Sequence, residues 1–199
     1  MRPKRKSISS ESLNLIGIPK KFHNAKLSDV SEKTKSRKDL KDFVSKYIQD
    51  LENWQLEKGI FFFGSNGVGK TYLSSIILKH AYICRYTCYR ITFANYSDLY
   101  TRVWSGRSLD EKSELEEKLY QYKGCEILVL EEIGKNIDST ISAPILEDLL
   151  RYREDKNLIT IICTNMKLDG VKELYGESVC SLIKGATVPI KIVGEDFRG

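Results

Sequence analysis

Two rhythms of apolar residues alternate along the chain. Leu40, Phe43, Val44, Tyr47, Ile48, Leu51 and Trp54 recur at three- and four-residue intervals, which predicts an amphipathic helix. "GIFFFGS" (59–65) is then apolar nearly throughout and ends on glycine, as a buried strand does. Leu73, Ile76, Ile77, His80, Ala81 and Cys84 return to helical spacing. The exchange continues with a strand at "TCYRITF" (87–93), a short helix at "SDLYTRVW" (97–104) and a charged helix at "SLDEKSELEEKLYQY" (108–122). After these come a strand at "CEILVLEE" (125–132), a helix at "ISAPILEDLLRYRED" (141–155) and a strand at "LITIICTN" (158–165). A helix near 174–184 and a strand at "VPIKIV" (188–193) close the series. Strands alternating with helices, two of them apolar along their length, predict an α/β fold with a parallel sheet covered on both faces. Residues 1–12 are basic, Ser-rich and without period, and read as disordered; 13–30 read as irregular with a few apolar anchors. The expected division is a basic, partly disordered arm over 1–38 and one folded domain over 39–199.

Charge sharpens this picture. The net charge is +5, but residues 1–50 carry 13 Lys/Arg against 6 Asp/Glu, and the rest carries 19 against 21. A basic arm ahead of a near-neutral body points to nucleic acid or an acidic partner surface, or is a solvated tail. No apolar run approaches the ~20 residues that span a bilayer, and "MRPKRKSISS" is followed by no apolar signal core. A cytoplasmic protein is expected. Cys84, Cys88, Cys125, Cys163 and Cys180 have no disulfide-framework spacing and read as buried, reduced thiols. Cys84 and Cys88 lack a second Cys/His pair, so zinc is not expected.

The chemistry is concentrated after the first strand. Gly64-Ser65-Asn66-Gly67-Val68-Gly69-Lys70-Thr71 fits G-x-x-x-x-G-K-[ST], with Tyr72 following, between a strand and a helix. Glycines let the backbone turn successive N–H groups toward phosphates, and the helix N-terminus adds positive partial charge. Lys70 would reach the β- and γ-phosphates, and the Thr71 hydroxyl would ligate Mg²⁺. A second strand must deliver an acid to that metal. "ILVLEEIG" (127–134) does so at Glu131 and Glu132, with Glu131 for Mg²⁺ and Glu132 to orient or deprotonate the attacking water. Glu131 is one methylene longer than the usual Asp, which predicts slower hydrolysis. A third strand ends "IICTN", placing Thr164 and Asn165 beside the γ-phosphate if it lies between the other two.

These elements together resemble the DnaC/IstB-type AAA+ ATPases, which include bacterial and phage helicase loaders. The resemblance covers roughly residues 17–199, through "GIPKKFHNAKLSD", "GSNGVGKTYL", "LVLEEIGK", "LLRYREDKNLITIICTN", "YGESVCSLI" and "GEDFRG". It implies a three-layer P-loop NTPase of the AAA+/ASCE type, strand order 5-1-4-3-2, and a C-terminal lid reduced or absent. It also implies ATP and Mg²⁺ as cofactors, Asn165 as sensor 1 and Arg198 as sensor 2. Two departures matter. Leu182 stands where the family's arginine finger is expected, with Lys184 the nearest cation, and lysine lacks the planar fork that suits phosphate. Only 63 residues precede the P-loop, where cellular loaders carry a separate helicase-binding domain; a compact version would suit a phage or mobile element.

"RITFANYSDLYTRVWSGR" (90–107) interleaves Arg90, Arg102 and Arg107 with Phe93, Tyr96, Tyr100 and Trp104. Cations neutralise phosphates and aromatics stack on unpaired bases, so Arg90, Tyr96, Tyr100, Arg102, Trp104 and Arg107 are candidates for single-stranded DNA contact, with Lys135 a weaker one. Some of these aromatics would equally serve as core. The expected function is a helicase loader: an ATP-bound module that binds the replicative hexameric helicase and assists its placement on single-stranded DNA; the resemblance leaves self-association open, and the missing finger weakens the case for sites completed across subunits. An IstB-type transposition ATPase on duplex DNA, and a nucleotide-dependent modulator of a replication factor with little turnover, are the alternatives.

Overall fold

The computed structural model describes residues 6–105, 109–135 and 139–194. Five strands form one parallel sheet: β1 (Gly59–Phe63), β2 (Cys88–Thr92), β3 (Ile127–Ile133), β4 (Ile159–Thr164) and β5 (Thr187–Lys191). Their order across the sheet is β2-β3-β4-β1-β5. This is the expected 5-1-4-3-2 read from the other edge. The helices are α1 (Ser10–Leu15), α2 (Lys35–Glu52), α3 (Lys70–Ile83), α4 (Phe93–Ser105), α5 (Leu109–Gly124), α6 (Ser139–Asp155) and α7 (Leu168–Ala186).

The near-continuous apolar strands are explained by side-chain alternation between two cores. Ile60, Phe62, Ile127, Val129, Ile161 and Cys163 pack with α1, α2 and α3 on one face. Phe61, Leu128, Leu130 and Ile162 pack with α4 through α7 on the other. Each central strand therefore buries both its sides, and three layers result. No helix among the described residues is long and apolar enough to cross a membrane.

Three local features depart from the sequence expectations. Residues 10–15, within and just after the segment expected to be disordered, form α1. The Ser9 hydroxyl accepts the Ser12 N–H at 3.1 Å and the Ser12 hydroxyl accepts the Ser9 N–H at 3.0 Å, a reciprocal cap built from two serines. Leu13, Ile16, Ile18, Ala25 and Val30 are buried in the same core as α2 and α3. The described part of the basic N-terminal stretch is thus a packed strap, carrying two short 3-10 turns at Lys20–Phe22 and Leu27–Asp29. Trp54, expected on the buried stripe of α2, lies past its end with φ 60°, because the helix stops at Glu52; its ring stacks on Tyr86 at 4.1 Å. α7 is broken at Gly176 (φ 90°, ψ 169°), and Leu182 beyond the break is buried in the α4–α7 core.

Candidate nucleotide site

β1 ends at Phe63, the chain curls through 64–69, and α3 begins at Lys70. Gly67 and Gly69 take φ of 74° and 102°, a backbone shape that exposes consecutive N–H groups on one concave side. Val68 between them is fully buried and anchors the loop to the core. Arg37 of α2 supports it from behind, with Nη1 donating to the Val68 carbonyl at 3.3 Å. Burial pushes the Arg37 guanidinium below its ordinary value.

Lys70 folds back over the loop. Its ammonium donates to the carbonyls of Gly64 at 2.8 Å and Ser65 at 2.6 Å, and to Oδ1 of Asn165 at 2.7 Å. Asn165 Nδ2 in turn donates to Oδ1 of Asn66 at 2.8 Å. β4 lies between β1 and β3, so the residue that ends it arrives beside the P-loop lysine. Register does the rest: Phe63 is level with Thr164, and Asn165 is the next residue. Thr164 is itself buried, donating to the Ile133 carbonyl at 2.8 Å and accepting the Met166 N–H at 3.1 Å.

The two glutamates differ sharply. Glu131 is 2% exposed. One of its carboxylate oxygens accepts Ser74 Oγ at 3.3 Å, and the other accepts Arg90 Nη2. Glu132 stands out of the ladder. β3 pairs Glu131 with Cys163 and Ile133 with Thr164, so Glu132 is an extra residue in a β-bulge, with φ 63°. Its carboxylate is exposed and accepts Lys135 Nζ at 2.9 Å. Because of the bulge both glutamates line the same cleft, which has a volume of about 560 Å³.

The rest of that lining combines the P-loop residues Asn66, Gly67 and Gly69 to Tyr72 with strap residues, among them Pro19, Phe22, Asp29 and Val30. Tyr72 ties the two: its hydroxyl oxygen accepts the Lys26 N–H at 3.1 Å and lies 3.3 Å from an Asp29 carboxylate oxygen. Its ring meets Phe22 edge-on at 6.0 Å. The donor set suits a triphosphate carrying a hard divalent cation. Backbone N–H groups and Lys70 face anion, while Thr71 and Glu131 offer oxygens from facing elements. Among the described residues there is no cluster of three His, Cys, Asp or Glu side chains to cage a metal. One or two protein oxygens completed by phosphates and water is the arrangement Mg²⁺ commonly takes.

The nucleic-acid candidates separate. Tyr96 is fully buried, because positions 93, 96, 99 and 103 form the inward stripe of α4, so it presents no face to a base. Arg90 is also removed from that set: it lies on β2 with its guanidinium engaged by Glu131 and by the Gly17 carbonyl at 3.2 Å. Arg102 and Trp104 remain on the outer part of α4, with Tyr100 half-buried against the core beside them. Trp104 is 70% exposed, with its ring 6.3 Å from Tyr100, and Arg102 is 4.0 Å from Asp98. Arg107 and Arg198 lie outside the described residues. Sequence reading missed Arg37, the strap's share of the cleft, and the Arg90–Glu131 pair. For Arg37 a signal existed: it falls on the apolar stripe of α2, three positions before Leu40.

No protein-family model matches the chain. Over 168 residues it is 23% identical to the replicative helicase loader DnaI of Bacillus subtilis (strain 168), an alignment covering 78% of this chain and 52% of that protein. The chain thus spans about half the length of this curated relative. Among solved structures, the fold matches the DnaC helicase loader with a TM-score of 0.73 at 24% identity, over 88% of this chain and 100% of that one. It matches DnaI with a TM-score of 0.68 at 22% identity, over 90% and 94%. A DnaA replication initiator bound to AMPPCP and single-stranded DNA matches with a TM-score of 0.70 at 14% identity, over 90% and 52%. The chain is thus similar in sequence to the DnaI helicase loader over part of that protein and shares the fold of DnaC and DnaI.

Proposed function

We propose that this chain is an ATP-binding helicase loader, an AAA+ module that engages a replicative hexameric DNA helicase and assists its placement on single-stranded DNA in a bacterial cytoplasm. The observation that carries the reading is the junction of Lys70, Asn66 and Asn165 above a cleft lined by Glu131 and Glu132. The backbone N–H groups of 64–71 bind the phosphates. Lys70 exchanges its bonds to the Gly64 and Ser65 carbonyls for the β- and γ-oxygens. Asn165, held between Lys70 and Asn66, reads whether a γ-phosphate is present, because that phosphate competes with Asn165 Oδ1 for the Lys70 ammonium and with Asn66 Oδ1 for the Asn165 Nδ2 donor. Thr71 and Glu131 would hold Mg²⁺, which would neutralise charge developing on the phosphates. Glu132, exposed on its bulge, orients or deprotonates the attacking water once Lys135 releases it.

Turnover is slow in this reading. Leu182 is buried, so α7 presents apolar packing at the position from which a neighbour's site would receive a cation. A finger supplied in trans is worth about 10³–10⁵ in rate where it exists. That same burial favours, as a second reading, a nucleotide-dependent modulator that grips a replication factor with little hydrolysis. The outer part of α4, with Arg102 and Trp104 and the half-buried Tyr100 beside them, is the surface offered to single-stranded DNA. Size-exclusion chromatography with mass detection tests the proposal, mixing the chain with the replicative helicase of its source cell, with and without ATP·Mg²⁺. A stable, nucleotide-sensitive complex is expected. A chain that binds ATP and forms no complex overturns the loader reading.

A further inference from the structure

β2 is an edge strand, and residues 16–17 of the strap lie along its open side. The Ile16 carbonyl accepts the Arg90 N–H at 2.9 Å. The Gly17 carbonyl accepts Arg90 Nη1 at 3.2 Å. Gly17 is pressed against the strand at φ +85°, and a β-carbon there would come 2.4 Å from the Arg90 carbonyl oxygen. The other terminal nitrogen of the same guanidinium donates to Glu131. One side chain therefore bridges the strap and the acid of the cleft.

The bridge does more than fasten the strap. The backbone bond from Arg90 to Ile16 already docks that edge, and several apolar strap side chains bury themselves without help from the guanidinium. The planar fork, by contrast, fixes two acceptors at a set separation, which a lysine ammonium does not do. One acceptor is the carboxylate of Glu131, whose second oxygen is held by Ser74. Glu131 thus has its rotamer defined from two sides, and one of those sides depends on where Gly17 sits.

We propose that Arg90 is a positioning residue that sets Glu131 for the metal of a bound nucleotide and couples it to the strap at Gly17. The proposal rests on reading the cleft as an ATP·Mg²⁺ site. It makes strap docking and a metal-competent Glu131 parts of one arrangement: whatever lifts residues 16–18 loosens the acid, and a cation drawn to Glu131 is felt at the strap.

Two variants of the full chain test this: Gly17→Ala, which keeps both Arg90 and Glu131 and whose β-carbon presses mainly on the Arg90 backbone, 2.4 Å from its carbonyl oxygen and 3.4 Å from its Cβ, and Arg90→Lys, which keeps the charge and loses the fork. Two readings are taken on each. One is the hydrogen-exchange rate of the Arg90 amide without nucleotide, which reports strap docking directly. The other is the Mg²⁺ concentration that half-saturates binding of a fluorescent ATP analogue. Gly17→Ala is expected to speed exchange and raise the Mg²⁺ midpoint by about tenfold, the loss typical of removing an outer-shell partner of a metal ligand. Affinity for the analogue in EDTA stays unchanged, and Arg90→Lys reproduces the Mg²⁺ shift. If Gly17→Ala speeds exchange while the midpoint stays within about twofold, or if Arg90→Lys leaves the midpoint at the wild-type value, the coupling is wrong; both thresholds sit well below that tenfold loss. Wild-type protein that binds no analogue at any Mg²⁺ concentration overturns the ATP-site reading and this proposal with it, a pattern distinct from failure of the variants alone.

Discussion

Arg153 is the largest fully buried side chain described, at 1% exposure, and has no carboxylate partner in its bonding set. Its Nε donates to Thr160 Oγ1 at 2.8 Å, Nη1 to the carbonyls of Cys125 at 2.9 Å and Lys123 at 3.0 Å, and Nη2 to the Ile159 carbonyl at 2.6 Å. The guanidinium thus joins α6, the turn into β3 and the start of β4. Burial pushes it below its ordinary value, a sign of the desolvation these bonds offset. Arg153→Met keeps an unbranched stem of similar length and removes every donor. The bonds to Cys125 and Thr160 are buried, and losing a partner there costs about 1–3 kcal/mol each. The part-buried carbonyls of Tyr122, Lys123 and Ile159 recover water, and relief of guanidinium desolvation returns some of the loss. The net expectation is about 3 kcal/mol of destabilisation. For a chain of this length that is a fall in Tm of roughly 6–12 °C. Urea unfolding with an unchanged m-value is the assay. Arg151→Met, two residues away but exposed and bonded to Glu147 and Ser178, is the control and should cost no more than about 0.5 kcal/mol. An Arg153→Met protein within about 1 kcal/mol of wild type, or no worse than the control, would show that the buried bonds do not hold these three elements together.

Four other outcomes are expected. Lys70→Ala lowers affinity for an ATP analogue by at least about tenfold in equilibrium binding, since a charged donor to phosphate is lost; unchanged affinity would move the site elsewhere. Glu132→Gln binds the analogue like wild type and turns over ATP about 10²-fold more slowly in a phosphate-release assay, the share a positioned base contributes. Trp104→Ala weakens single-stranded DNA binding by about tenfold in fluorescence anisotropy, the value of one stacked base, whereas Tyr96→Phe leaves it unchanged because that ring is inside the core. Burial raises the thiol pKa of Cys88, Cys125 and Cys163, so these three should resist a thiol reagent at neutral pH until denaturant is added.

The sheet was legible in the sequence because each central strand is apolar on both sides and is followed by a helical period. Patterning of that kind reports burial directly. The phosphate loop was legible because its residue types are dictated by backbone shape and by one cation. What sequence reading missed falls into two kinds. The first is a cation on an apolar stripe. Arg37 stands in line with Leu40, Val44 and Ile48, Arg90 inside β2, and Arg153 in line with Leu146, Leu149 and Leu150. Each breaks the pattern of its element, and each has a buried acceptor waiting. The family-like run "LLRYREDKNLITIICTN" has part of its physical reason here, since Arg153 and Thr160 bond to each other within it. The second kind is the strap. Its anchors Leu13, Ile16, Ile18, Ala25 and Val30 follow no single period, because the segment bends through a short helix and two 3-10 turns. Such packing depends on distant elements, and no local signal announces it.

A strand is a counting device with a parity: odd positions to one side, even to the other. Under that rule two neighbouring acids could never serve one ligand. The bulge at Glu132 is a single miscounted step, and it gives the order of the pair a meaning. The first acid is in step with the sheet and enclosed. The second stands off the count, on a left-handed residue that costs about 1–3 kcal/mol to hold and is free to reach water. The two side chains are the same amino acid, so the difference in their surroundings, one enclosed and one open to the cleft, is written in the backbone's arithmetic rather than in residue type.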